Sequence, residues 1–152
     1  MKFGHFSHVW NRPGMTPATR YAQLLREMKL ADDLGFDYAF AVEHHFSPQE
    51  SWMPSPAIFT AAVGACTSRL RIGAMGYVAP LYEPIRIVEE TAVLDQLLNG
   101  RLEIGLVSGI LPDYFKHYPK SDFKNRRAVT NEVVTAEELG GTAGAHAGQL
   151  SG

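Results

Sequence analysis

Residues 70–107, LRIGAMGYVAPLYEPIRIVEETAVLDQLLNGRLEIGLV, decide the fold. Leu70 to Met75 is a short apolar run of strand length. Glu83-Pro84 opens a helix, since proline lacks an amide hydrogen that the first helical turn leaves unused anyway. Ile85, Val88 and Ala92 share a face of this helix, and Leu94, Leu97 and Leu98 extend its apolar side. Asn99-Gly100 closes it with residues that tolerate a left-handed helix end. Leu102 to Val107 is the next strand. Both strands carry apolar residues on both faces, as buried parallel strands do, which predicts a right-handed βαβ unit.

The same grammar runs back to the N-terminus. Lys2 to Ser7 reads as a strand. Thr16-Pro17 supplies an N-cap and a first-turn proline, Leu24, Met28, Ala31 and Leu34 recur at helical spacing, and Gly35 stops the helix. Tyr38 to Val42 is a strand, Ser55-Pro56 repeats the cap-and-proline signal, and Ala57 to Thr67 is a helix. A further helix is predicted over Lys124 to Glu138. The expected fold class is therefore α/β with a parallel sheet, and chemistry in such folds gathers where the strands end and the βα loops begin. Residues 1–139 form the expected domain, and Gly140 to Gly152, mostly Gly, Ala, Ser and Thr, the expected flexible tail.

Composition narrows the function classes. The chain has 152 residues, 45% hydrophobic and 20% charged, with a formal net charge of -2, as expected of a soluble globular protein. No basic block is present, which argues against nucleic acid as a partner, and no apolar stretch has membrane-spanning length. The single cysteine, Cys66, excludes an intramolecular disulfide and a cysteine-based zinc site, and reads as a small buried hydrophobe. That cysteine count fits a reducing cytoplasm, the expected location.

Three strand ends hold the candidate residues. After the second strand stands Glu43-His44-His45-Phe46. Successive strand residues point to opposite faces, so Glu43 and His45 share one face and His44 takes the other, and no metal is expected here. A histidine at a strand mouth suits proton transfer near neutral pH, although loop histidines satisfied by local hydrogen bonds are the commoner outcome. Ala74-Met75-Gly76, at the third strand, would let a flat ligand approach the backbone, or would simply end a strand in a turn. Gly105-Leu106-Val107-Ser108-Gly109 ends the fourth strand with amides suited to a phosphate, but lacks the full spacing of a P-loop or dinucleotide fingerprint. Arg126 and Arg127 begin the last helical stretch, as a phosphate clamp or as an exposed basic face.

Taken in order, Met1-Lys2-Phe3-Gly4, Gly35-Phe36-Asp37, Glu43-His44-His45-Phe46, Ser55-Pro56, Leu70-Arg71-Ile72-Gly73, Pro84 with Glu89-Glu90, Leu94-Asp95-Gln96, Asn99-Gly100-Arg101 and Gly105 resemble the bacterial luciferase-like monooxygenases from Met1 to about Val134. The resemblance implies about half of a TIM-type (β/α)8 barrel, because a full barrel needs roughly 250 residues. It also implies reduced flavin, as FMN or alternatively the deazaflavin F420, with O2, a small organic substrate such as an aldehyde, and a flavin reductase supplying the reduced cofactor. A homo- or hetero-oligomer is expected. The alternatives are an F420-dependent oxidoreductase and a non-catalytic, flavin-binding or structural half-barrel. Position by position, the resemblance makes His44 the catalytic histidine and Glu43 its neighbouring carboxylate. Ala74, Met75 and Gly76 lie at the flavin ring, with a non-proline cis peptide at Met75-Gly76. Arg126 matches an arginine on the flavin phosphate. Val107 replaces a reactive cysteine and Ser108 a phosphate-binding arginine. Val107 neither titrates nor attacks, and Ser108 offers phosphate one hydrogen bond without charge.

Overall fold

The computed structural model describes residues 1–10, 12–118 and 120–136. The expected tail and the last two residues of the expected final helix lie outside them. The elements are β1 (Gly4–Ser7), α1 (Pro17–Leu34), β2 (Tyr38–Ala41), α2 (Pro56–Cys66), β3 (Arg71–Val78), a 3-10 turn (Ala79–Leu81), α3 (Pro84–Leu97), β4 (Leu102–Val107) and α4 (Pro112–Phe115). Residues 126–136 are helical and are called α5. The strands form one sheet in the order β1-β2-β3-β4. β2 pairs in parallel with β1 on one side and β3 on the other. The α/β reading therefore holds, with one strand following another across the sheet through helical crossovers.

Local chemistry accounts for most boundaries. The Thr16 hydroxyl accepts the amide of Thr19, Pro17 fills the first helical position, and Gly35 ends α1 at φ 80°. Ser55 differs from expectation. Its ψ of 84°, against 156° at Thr16, does not aim the hydroxyl at the first turn, and it makes no side-chain cap bond. β3 runs three residues past Met75, to Val78.

The buried side of α3 also differs. Ile87, Thr91, Leu94 and Leu98 are buried, whereas Ile85, Ala92 and Leu97 are exposed. Apolar residues surround this helix, so periodicity alone did not select its face. Leu34, at the end of α1, is likewise exposed, and Cys66 is half-buried rather than buried, its thiol donating to the carbonyl of Val63.

The described chain divides into two compact units, Met1–Tyr77 with Leu94–Gly105, and Val78–Val93 with Leu106 onward. The first is built on a core of Leu24, Met28, Ala39, Ala41, Phe59, Val63, Ile72 and Leu98. Each of these side chains larger than alanine contributes about 1.5–3 kcal/mol by leaving water. In register, Ala39 pairs with Ile72 and Ala41 with Ala74, and these residues are buried. The alternate residues, Phe6, Phe40 and Gly73, therefore lie on the opposite face of the sheet, where Phe6 is exposed. Gly73 is required there by close approach of β4, since an added Cβ would lie 1.6 Å from the carbonyl oxygen of Glu103.

In the second unit, Val78, Ala79, Ile87, Tyr114, Phe115 and Val133 are buried. Phe115 and Phe123 meet edge to face at 5.4 Å. The Ser121 hydroxyl donates to the carbonyl of Pro80, and Lys120 pairs with Glu83 at 2.7 Å.

Candidate active site

The end of β2 sorts its three ionisable residues by alternation. Glu43 and His45 turn inward, with Oε1 of one 2.5 Å from Nε2 of the other. His44, between them, is half-buried. Its amide donates to the carbonyl of Met53, tying this strand end to the 46–54 loop. The expected division of faces is therefore present, with Glu43 serving the interior.

Nδ1 of His44 lies 3.5 Å from Oε2 of Glu50, at the turn closed by hydrogen bonds from Glu50 and Ser51 to the Ser47 carbonyl. Burial pushes the His44 imidazole below its ordinary value of 6.5. Glu50 opposes that fall, His8 and His45 add to it, and Glu43 opposes it more weakly. A lowered imidazole is neutral near pH 7 and able to accept a proton.

Sequence reading missed the third histidine. His8 follows β1 directly. Its ring stacks on Trp10 at 4.7 Å and 14°, lies 5.1 Å from His44 at 39°, and meets Phe6 edge-on at 5.5 Å. Phe6 and His8 have the same parity along the chain, so they emerge on one face together. That spacing was the available signal. Glu50 carried none, because its position depends on how the loop folds back.

At β3, the peptide between Met75 and Gly76 is cis. Ala74 and Gly76 are buried, and Ala74 presents no accessible side chain, whereas Met75 is half exposed. Phe6, Trp10 and Met75, at 52%, 49% and 50% exposure, leave apolar and aromatic surface beside the strand ends. Nδ1 of His8 is shielded from solvent with no hydrogen-bond partner among the described residues. Apolar surface with a polar atom awaiting a partner fits a flat heteroaromatic group such as a flavin ring.

The second unit holds the remaining candidates. Nε of Arg126 donates to the carbonyl of Gly109, the residue after Ser108, at 3.2 Å, and Nη1 donates to Phe123 at 2.8 Å. Its guanidinium lies 3.8 Å over the Phe123 ring. Val107 is exposed, and Ser108 is half-buried. Arg126 is thus held at the β4 loop by carbonyl acceptors, with its charge uncompensated by any carboxylate among the ion pairs of the described residues. The described residues include no group of three His, Cys, Asp or Glu placed to hold a metal ion. Nor do they include a helix long and apolar enough to cross a membrane.

Residues 1–138 match the family model described as luciferase-like monooxygenase. The chain belongs to that family. It is 28% identical over 130 residues to an alkanal monooxygenase alpha chain from Photorhabdus laumondii, covering 86% of this chain and 36% of the relative. Its fold superimposes on the monooxygenase RslO1 from Streptomyces bottropensis with a TM-score of 0.84 at 30% identity, over 90% of this chain and 42% of the other. A Type II Baeyer-Villiger monooxygenase from Pseudomonas putida, solved in complex with FMN, shares the fold at a TM-score of 0.83 and 24% identity, over 91% and 38% of the two chains. The chain spans about a third of the length of the curated relatives it matches.

Proposed function

We propose that this chain supplies the N-terminal half, residues 1–139, of a cytoplasmic, reduced-flavin-dependent monooxygenase barrel acting on a small organic substrate such as an aldehyde. The observation that carries the reading is His44. It is a half-buried imidazole, lowered by its surroundings, at the β2 end of a chain whose family match covers residues 1–138. The alkanal monooxygenase relative supports the aldehyde class. The FMN-bound fold relative supports FMN as the flavin.

Reduced flavin, when bound, supplies the two electrons by which one oxygen atom of O2 enters the substrate and the other leaves as water. Met75 and the backbone of Ala74 and Gly76 are the candidates for holding the ring. Arg126, with the Ser108 hydroxyl, is the candidate for its phosphate. His44 accepts or returns a proton at its imidazole. Glu43, bonded to His45, keeps that part of the strand end in place. Val107 lends apolar surface and no reactive group. A flavin reductase and a partner subunit or the remaining barrel strands complete the proposed assembly.

F420 is the second reading. An F420-dependent reductase from Methanopyrus kandleri shares the fold at a TM-score of 0.58 and 21% identity, a weaker likeness than that of the FMN-bound relative. Anaerobic titration of the purified chain with reduced FMN and reduced F420, alongside its mass in solution, tests both. One-to-one binding of FMN in preference to F420, retained by His44→Ala, is expected. A stable, folded chain that binds neither overturns the proposal, and a preference for F420 moves the chemistry to hydride transfer.

A further inference from the structure

We propose that His8 is a positioning residue that forms a coupled imidazole pair with His44, so that a proton on either ring opposes one on the other. The inference rests on the reading of His44 as the proton-transfer group and adds a second residue to it.

Three observations converge on His8. The residues on either side of it are pinned. The Ser7 hydroxyl accepts the amide of Val9 at 3.1 Å and a guanidinium N–H of the buried Arg20 at 3.3 Å. Val9 is fully buried in the left-handed region at φ 55°, a conformation costly for a β-branched residue and sustained only by its surroundings. Second, the ring is held by aromatic faces, not by a hydrogen bond at Nδ1. A structural histidine in such a place normally spends that nitrogen on a local partner. Third, the ring this arrangement presents lies 5.1 Å from that of His44.

At that separation a charge on one imidazole opposes a charge on the other. Glu50 from the loop and Glu43 and His45 beside it in the chain also bear on His44. Glu43 and His45 are joined to each other in the interior. Glu50 favours the proton on His44, and His8 opposes it. His8 and Glu50 therefore act on the His44 proton in opposite directions, the behaviour of a coupled site. During turnover this keeps His44 ready to accept a proton.

Nuclear magnetic resonance titration of the histidine-labelled full chain, without flavin, tests the pair. The wild-type His44 signals are expected to move in two steps. In His8→Phe, which keeps the stack on Trp10 and removes the charge, His44 is expected to titrate in one step, with its midpoint raised by on the order of half to one pH unit. Trp10→Leu, which loosens the stack without touching either imidazole, is expected to raise the midpoint by less and serves if His8→Phe fails to fold. An unchanged His44 curve in a folded variant overturns the proposal. The readout needs no cofactor, so failure of flavin binding with an intact His8 effect would sink only the proposed function, and the reverse result only the pair.

Discussion

Oε1 of Glu43 and Nε2 of His45 lie 2.5 Å apart in the interior, while the histidine between them faces the other way. A single strand end thus carries an anchor on one side and a reactive group on the other. Removing the anchor takes a hydrogen-bond acceptor from a buried imidazole, and losing such a partner in the interior costs about 1–3 kcal/mol. Glu43→Ala is expected to lower stability by about 3 kcal/mol in urea unfolding, and Glu43→Gln by less, since the amide still offers an oxygen. His44→Ala removes a half-buried ring and is expected to cost about 1 kcal/mol. Equal losses for Glu43→Ala and His44→Ala would show that the two faces do not divide anchor from chemistry.

The Glu50 carboxylate, 3.5 Å from His44, favours the protonated ring, whereas burial disfavours it. Glu50→Gln is therefore expected to push the His44 midpoint further below 6.5, read by the same histidine resonances. The lowered value has a second consequence. Below 6.5 the unfolded chain binds a proton that folded His44 refuses. This group's contribution accordingly turns unfavourable as pH falls through 6.5, and reaches its full size below the folded midpoint. His44→Gln should flatten that part of the stability profile. An unchanged midpoint in Glu50→Gln would place the carboxylate away from the ring.

Much of this arrangement was legible in the chain. α1 runs from Pro17 to Leu34 and β4 from Leu102 to Val107, as capping residues and apolar runs predict. Alternation divided Glu43 and His45 from His44. What escaped was set by tertiary contact. The face of α3 was hidden because Ile85 and Leu97 are as apolar as Ile87 and Leu98, and only the neighbouring elements choose between them. α4, four residues long, spans barely one turn, too little to repeat a helical period. The parity of Phe6 and His8 marked the face of His8, but not its stack on Trp10 or its approach to His44, which depend on how the chain folds.

Asp32 gives a different pH signature. Burial raises its carboxyl, but backbone amides of Ser68, Arg69 and Leu70, with the Ser68 hydroxyl, outweigh that and hold it at about 2 instead of 3.8. The carboxylate fastens the end of α1 to the turn before β3. Its stabilisation is present in full above 3.8 and is lost as pH falls through about 2. Asp32→Asn is expected to be about 2 kcal/mol less stable than wild type at pH 7, with the gap closing towards pH 2. Urea unfolding at both ends of that range checks it, and a gap that persists in strong acid would mean lost packing rather than lost charge.

Two glycines separate backbone closeness from side-chain closeness. At Gly73 an added Cβ would sit 1.6 Å from the Glu103 carbonyl oxygen, and β4 cannot withdraw without breaking its pairing with β3. At Gly64, in α2, the nearest atom is Cγ of Leu98 at 3.1 Å, a side chain able to shift by a few tenths of an ångström. Alanine also favours a helix over glycine by roughly 1 kcal/mol, which offsets that crowding. Gly64→Ala is therefore expected to change stability by less than about 1 kcal/mol, while Gly73→Ala is expected to cost more than about 3 kcal/mol. The two variants are compared by thermal and urea unfolding. A mild Gly73→Ala would mean that β3 and β4 are not locked together. The Met75 end of the sheet would then be free to spread when a ring binds, contrary to a preformed site.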